Sequence, residues 1–399
     1  MKVLLLSDTY PPRRTSGAVL LQHLAKSLVS NGVKVTVAVP AEELSGGFDL
    51  QQEEGVQVLR VATWRTKDVG YLKRTFAEVS LSSLLCKGLT KSGLGISDWG
   101  AVLWYSPTIF LGPLARKVAR RSNCPAYLIL RDIFPDWAVD VGLLSRGPVY
   151  RFFKYFERLQ YQAATRIGIQ STANFAYFDL YGAAIKDKVE LLENWLGAPK
   201  PAALPTVLAD LKHRQDFVVV YTGNMGVAQG LQPIFAAIAA LPACKRIRFL
   251  FIGRGSEKKQ LMAFCSQRQL SNVTFHDEIS PDEVHEVLCH CDLGLVALDT
   301  RHHTHNVPGK FVAYLQAGLP VLAKVNPGND LEYLINETNV GEVYTQEDSK
   351  TLVNSILHLR DNPDRLKVMS RQALELFRSR YQVGIAADRI LAAIGAKQG

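Results

Sequence analysis

The sequence has no run of about 18 apolar residues, so no membrane-spanning helix is expected. Cysteine is scarce: Cys86, Cys124, Cys244, Cys265, Cys289 and Cys291 are the six in 399 residues, and their spacing builds no disulfide framework. That usage fits a reducing, cytoplasmic setting. The triplet Cys289–His290–Cys291 has no second ligand pair after it, so packing explains it better than zinc. The opening MKVLLLSDTYPP is too short in its apolar part, and lacks a small-residue cleavage site, to read as a signal peptide. No G-x-G-x-x-G follows the first apolar segment, which argues against a dinucleotide oxidoreductase. No D-x-D stands at a strand end, so neither a metal ion nor another cofactor is expected. No nucleic-acid-binding motif is recognised.

What is present suffices for two cores: 47% of the residues are hydrophobic and 21% charged, over a length that suits two domains. A net charge of +9 and a pI near 9.2 ask for an anionic partner. The excess is local. Over residues 60–95 stand Arg60, Arg65, Lys67, Lys73, Arg74, Lys87 and Lys91 against Asp68 and Glu78, interleaved with Trp64, Tyr71, Phe76, Leu81 and Leu85. Such a basic amphipathic segment can lie on anionic lipid. Its apolar side can equally belong to an N-terminal core, and periodicity does not separate the two.

Strand-like and helix-like segments alternate throughout. Residues 2–7 (KVLLLS), a loop with Pro11, Pro12 and Gly17, a helix over 18–31 and a strand over 33–39 (VKVTVAV) make a βαβ unit, and hence a doubly wound parallel sheet. A second series starts at residues 216–221 (DFVVVY), after a linker-like GAPKPAALP at 197–205. The boundaries that follow are 1–196, a linker 197–215, a second domain 216–380 and a final helix over 381–399.

Three stretches carry chemistry. In residues 222–231 (TGNMGVAQGL) Gly223 and Gly226 would let backbone N–H groups approach a diphosphate, with Asn224 as a polar contact; turn geometry alone also calls for such glycines. In residues 305–323 (HNVPGKFVAYLQAGLPVLA) Pro308 starts a helix, Phe311, Tyr314 and Leu315 bury one face, and Gly318 stops it. Lys310 then sits in the first turn, where an ammonium and helix-end N–H groups can hold an anion; a surface lysine is the bland reading. In RDIFPDW, Arg131 and Asp132 follow a strand directly, where open α/β sheets place ligands.

These stretches resemble family 4 retaining glycosyltransferases of the GT-B fold, in particular bacterial O-antigen and capsule sugar transferases of the L-fucosamine-transferase type. VPGKFVAYLQAGLPVLA is similar to their donor-binding segment, YTGNMGVAQG to a Y-x-G-N-M-G-x-x-Q-G turn, and RDIFPDW to an R-D-L-W-P-E block. The resemblance implies two Rossmann-like domains with a cleft between them, the first binding acceptor and the second nucleotide-sugar, and a C-terminal helix crossing back to the first domain. It implies transfer, with retention, from a nucleotide diphosphate sugar, a UDP-sugar being expected, to a glycan or lipid-linked acceptor at the inner face of a membrane. Asp132 takes the place of a residue that deprotonates or orients the acceptor hydroxyl, with a structural turn Asp before Pro135 as the alternative; Arg131 would hold it ionised or touch phosphate. Gly17, with Arg13 and Arg14, would line the cleft. Residues 328–331 (Gly328, Asn329, Asp330, Leu331) match the loop that closes on the donor sugar, a capped turn being the alternative.

The sequence departs from the family at known grips. Asn224 and Gln229 stand where many members carry Arg and Lys, so Arg254 and Lys310, with Lys258 and Lys259 in reserve, are expected to neutralise the diphosphate. The E-x7-E pair falls on His305 and Ala313. A non-catalytic partner subunit and a nucleotide-sugar epimerase or hydrolase of the same fold therefore stay open.

Overall fold

The computed structural model describes all residues except 67–69, 141, 203–204, 212–215, 242–245, 300–306, 326–328, 346–347 and 397–399. The chain divides into two compact units, residues 1–197 with 383–399, and residues 198–382.

In the first unit the elements run β1 (Lys2–Leu6), α1 (Ser16–Ser30), β2 (Lys34–Ala41), β3 (Phe48–Glu53), β4 (Val56–Ala62), α2 (Tyr71–Lys91), β5 (Ala101–Ser106), α3 (Gly112–Ser122), β6 (Ala126–Leu130), α4 (Asp136–Asp140), α5 (Pro148–Ala163), β7 (Arg166–Ile169), α6 (Ala183–Lys186) and β8 (Val189–Leu191). They form an eight-stranded sheet ordered β3-β4-β2-β1-β5-β6-β7-β8, parallel except for the β3–β4 pair. Both faces of its central strands are covered, which is why they read as unbroken apolar runs. Val3 and Leu5 point into one core layer with Leu20, Leu24 and Leu28 of α1, while Leu4 and Leu6 point into the other with Leu114 and Val118 of α3.

The second unit runs β9 (Phe217–Thr222), α7 (Gln232–Ala240), β10 (Ile247–Ile252), α8 (Lys258–Gln267), β11 (Val273–His276), α9 (Pro281–Leu288), β12 (Leu293–Ala297), α10 (Gly309–Gln316), β13 (Val321–Lys324), α11 (Asp330–Thr338), β14 (Gly341–Tyr344), α12 (Ser349–Arg360) and α13 (Pro363–Leu376). Its six strands are all parallel, ordered β11-β10-β9-β12-β13-β14. The last helix, α14 (Val383–Ala393), belongs to the first unit, where Ala386, Ala387, Ile390 and Leu391 join the α1 core layer. Arg389 of α14 donates to the Leu191 carbonyl, and Trp195 donates its indole N–H to the Leu20 carbonyl at 2.8 Å.

Two expectations about the basic segment separate here. Ala77, Leu81, Leu85 and Leu89 of α2 are buried, and the three leucines join the core layer that holds Leu4 and Leu6, so the apolar side of this helix belongs to the protein itself. Among the described large apolar side chains of α2, Phe76 is the one left to solvent, and its ring stacks on Trp64 at 5.0 Å. Among the described residues no helix is long and apolar enough to cross a membrane.

Candidate functional site

Each sheet has a topological switch point, and in open parallel sheets ligands bind beyond the strand carboxyl ends at that place. In the second unit it lies between β9 and β12, where the chain leaves β9 for β10 on one side and β12 leads to β13 on the other. Tyr221 and Thr222 end β9 there, and α10 begins after the β12 loop with Pro308 as its N-terminal cap. Tyr314 fixes the helix: its hydroxyl accepts from the Thr222 N–H at 3.1 Å and donates to the Leu295 carbonyl at 3.1 Å, tying α10 to both strands. Its ring occupies the place where a side chain on Gly294 would stand, a built Cβ meeting Cδ2 at 2.5 Å. Gly318, at φ +66°, stops the helix as the sequence predicts.

Thus anchored, α10 delivers Lys310 to the end of β9. Its ammonium lies 3.6 Å from the centroid of the Tyr221 ring, and a Cβ built on Gly223 would stand 3.9 Å from it. Tyr221 is fully buried and its hydroxyl donates to the Asn224 carbonyl at 2.6 Å, so the ring is a fixed platform. No carboxylate among the described residues pairs with Lys310. Burial pulls its pKa from the usual lysine value down to about 7. A half-buried lysine with an aromatic platform and no counter-ion among the described residues is a site short of one anion.

The glycine turns do something other than the sequence suggests. The Gly223 N–H donates to the Ile252 carbonyl at 2.9 Å, Met225 N–H to the Arg254 carbonyl at 2.7 Å, and Gly226 N–H to Gln229 Oε1 at 3.1 Å. Gln229 Oε1 also accepts from Asn224 Nδ2 at 3.0 Å. The expectation that Gly223 and Gly226 offer free N–H groups to a diphosphate, with Asn224 beside them, is thereby corrected: these donors are already satisfied. What Gly223 provides, at φ +110°, is a bare surface next to Lys310.

Arg254 lies on the Gly253–Gly255 turn, two-thirds exposed and 3.4 Å from Glu278, free enough to swing onto a ligand. Lys258 is not a reserve: its ammonium donates to the Gly253 and His276 carbonyls and to Asp277, at 3.0, 2.8 and 2.7 Å. Lys259 is exposed. Asn329 is buried and caps α11, accepting from the Leu331 N–H at 2.9 Å, and the Leu331 side chain is core. The sugar-contact reading of Asn329 and Leu331 gives way to a helix cap, which leaves Asp330 in the first turn. His305 and Gly328 lie outside the described residues.

In the first unit the switch point falls between β1 and β5. Thr15 caps α1 by accepting from the Ala18 N–H at 3.2 Å, and its hydroxyl meets that of Thr9 at 2.8 Å. Gly17 faces Tyr105 of β5 so closely that a Cβ would stand 3.0 Å from the phenol oxygen. Arg13 pairs with Glu42 at 3.3 Å, and Arg14 is exposed. Arg131 is buried, donating to the Leu192 and Glu193 carbonyls at 2.6 and 3.4 Å with its guanidinium 4.7 Å from the Trp195 ring. Burial lowers its pKa to about 10. Its expected role as a phosphate contact is corrected to one of position: it ties the end of β6 to the end of β8, and so places Asp132, which stays half-buried. Asp136 is bound by Tyr150, Lys154 and Tyr177 at 2.8, 3.0 and 2.8 Å and is structural. The sequence reading missed Tyr221 and Tyr314, whose spacing marked them only as apolar.

Comparison with known proteins bears on the same region. Residues 216–362 match the family described as Glycosyl transferases group 1 and form such a domain. The chain is 25% identical over 225 residues to the probable glycosyltransferase WbjE of Pseudomonas aeruginosa, an alignment spanning about half of each protein (54% of both). It is 24% identical over 341 residues to the putative colanic acid biosynthesis glycosyl transferase WcaI of Escherichia coli K12, covering 80% of this chain and 82% of that one. Among solved structures, HepE of Anabaena in complex with UDP and glucose superposes with a TM-score of 0.71 at 16% identity, each chain covered in full (100%). The fold, two parallel-sheet α/β domains, is GT-B.

Proposed function

We propose that this chain, whose residues 216–362 are a glycosyl transferases group 1 domain, is a retaining glycosyltransferase of cell-surface polysaccharide synthesis that uses a UDP-sugar. The observation that carries the reading is Lys310, held on Tyr221 beside the bare Gly223 backbone with no counter-ion among the described residues. A donor diphosphate supplies the anion that this lysine lacks. As the glycosidic bond breaks, negative charge grows on the leaving diphosphate, and an already oriented ammonium at the start of α10 stabilises it. Arg254 adds a second cation, and Asp330 is the remaining candidate for a sugar hydroxyl. A lysine in this role makes a metal ion unnecessary, so activity should persist in chelator. The solved HepE complex holds UDP and glucose, which supports uracil as the donor base.

In the first unit Asp132 is the residue we assign to the acceptor, accepting the hydroxyl proton, with Gly17 lining the approach. Asp132→Asn should lower kcat by about 100-fold with the donor Kd unchanged, the size typical of removing a general base. An unchanged kcat would return Asp132 to a turn-forming role. The reading as a whole is tested by a thermal-shift panel of UDP, GDP, ADP and their sugars, followed by product analysis with and without acceptor. A nucleotide that binds the native state raises its melting temperature by mass action. If none does, the chain is a partner subunit; if sugar is released or epimerised without acceptor, it is a hydrolase or epimerase.

The lysine also predicts a pH profile. Only charged Lys310 binds the diphosphate, and a bound anion raises its pKa from about 7. Donor affinity should be flat below that value and fall by up to tenfold per pH unit from there to about pH 9. Calorimetry with a UDP-sugar in buffers of different ionisation enthalpy should show close to one proton taken up at the alkaline end. A flat profile would remove Lys310 from the site.

A further inference from the structure

Helix α5 carries an exposed apolar stripe that neither the donor residues nor Asp132 use. Val149, Phe152 and Tyr155 are 57%, 41% and 60% exposed, and their spacing of three residues sets them along one side of the helix. Leu143, in the loop before it, is 68% exposed. Arg146, Arg151 and Arg158 are exposed along the same stretch and pair with no carboxylate among the described residues. Two acids close by are withdrawn: Glu157, the one acid of α5, is fully buried on Lys154, and Asp136 of α4 is bound by the same ammonium. Asp140, at the end of α4, is the exposed acid nearest in sequence. Phe152 still rests on Phe110, at 6.4 Å between ring centres, so the stripe is ordered from beneath. The short 3-10 turn Ile109–Leu111 that holds Phe110 also supports α2, through Ser82 donating to the Phe110 carbonyl at 2.5 Å. The exposed Trp64–Phe76 stack therefore belongs to a neighbouring element.

Part-exposed aromatic and branched side chains, between arginines that pair with no carboxylate among the described residues, match an interface whose inner layer is apolar and whose outer layer is anionic. Arginine gives its fork to phosphates while the apolar side chains enter the acyl boundary. We propose that this face of α5, rather than the apolar side of α2, is where the protein docks on an anionic lipid bilayer. The stripe is fastened to the Asp132 loop: Tyr150 donates to Asp136 at 2.8 Å, and Phe153 packs on Phe134 at 4.9 Å. Docking there brings that loop to the lipid surface, which makes a lipid-carried hydroxyl the acceptor class. That last step rests on the reading of Asp132 given above; the docking does not.

The test is flotation of the full chain with phosphatidylglycerol–phosphatidylcholine vesicles and with pure phosphatidylcholine vesicles. The unmodified protein should float with the first and not the second. Each arginine near an anionic surface is worth about a fivefold change in partitioning, so Arg151→Gln/Arg158→Gln should weaken it about thirtyfold. Phe152→Ser/Tyr155→Ser should also release the protein, whereas Lys73→Gln/Arg74→Gln on α2 should matter less. Arg151, Arg158, Lys73 and Arg74 are exposed, so those variants should keep the melting temperature and the UDP-sugar thermal shift. Phe152→Ser/Tyr155→Ser also removes the ring that rests on Phe110 and is compared at a temperature where it stays folded. Loss of the UDP-sugar shift would instead indict the donor reading. No flotation, equal flotation of the α5 variants, or a solution dimer that Phe152→Ser/Tyr155→Ser dissociates would overturn the proposal, the last by making a second copy the occupant.

Discussion

Lys310→Met should weaken UDP-sugar binding by about 100-fold, on the order of 3 kcal/mol, and leave the protein at least as stable as before. The two halves have one cause. Burial holds the pKa of Lys310 near 7, against 10.5 in water, so the folded state is penalised for the charge it keeps there. Because the folded value lies below the unfolded one, the native protein binds fewer protons between those two values. Stability contributed by this group therefore rises with pH through that window, and the charged lysine costs the fold a few kcal/mol below it. Methionine fills the space of the stem, keeps contact with the Tyr221 ring and removes the penalty. The measurement pairs calorimetric titration of the donor with thermal melts across pH. A variant that loses binding while melting early would mean that Lys310 holds the fold rather than the ligand.

Gly253→Ala should cost the second unit about 3 kcal/mol or more and take donor binding with it. Gly253 has φ +145°, a conformation that side chains avoid, and a Cβ there would stand 2.0 Å from the Gly223 carbonyl oxygen. Gly255 repeats the arrangement at φ +152°, 2.2 Å from the Met225 carbonyl oxygen. The turn after β10 thus lies backbone against backbone on the turn after β9, closed by the Met225–Arg254 hydrogen bond. Relief requires moving residues 223–225, and those lie beside Lys310. Gly32→Ala is the control: φ is +75° but nothing stands within 4 Å, so only the backbone term of about 1 kcal/mol applies. Urea melts of the three proteins, with a UDP-sugar titration of each, check the order. Equal costs at Gly253 and Gly32 would show that the two turns do not bear on each other.

The difference between Gly253 and Gly32 lies in the tertiary fold and is invisible along the chain. Strands, helices, the glycine stop at Gly318 and the placing of Lys310 in a first helical turn were all legible, because hydrophobic period, propensity and capping act over a few neighbouring residues. That TGNMG and GRG form strand–helix turns was equally legible. That their glycines face each other, with the N–H groups of the first turn already bonded, was not, because one turn follows β9 and the other β10. The same holds for the bases. Arg131, Lys258 and Lys310 are equivalent in composition, yet two are used on main-chain carbonyls and one stands over a tyrosine ring. By itself the sequence determined the α/β class, the two sheets and the short list of charged residues at strand ends. Only the tertiary structure decided which of those charges lacks a partner, since desolvation and pairing depend on segments distant in the chain that the sheet order brings together.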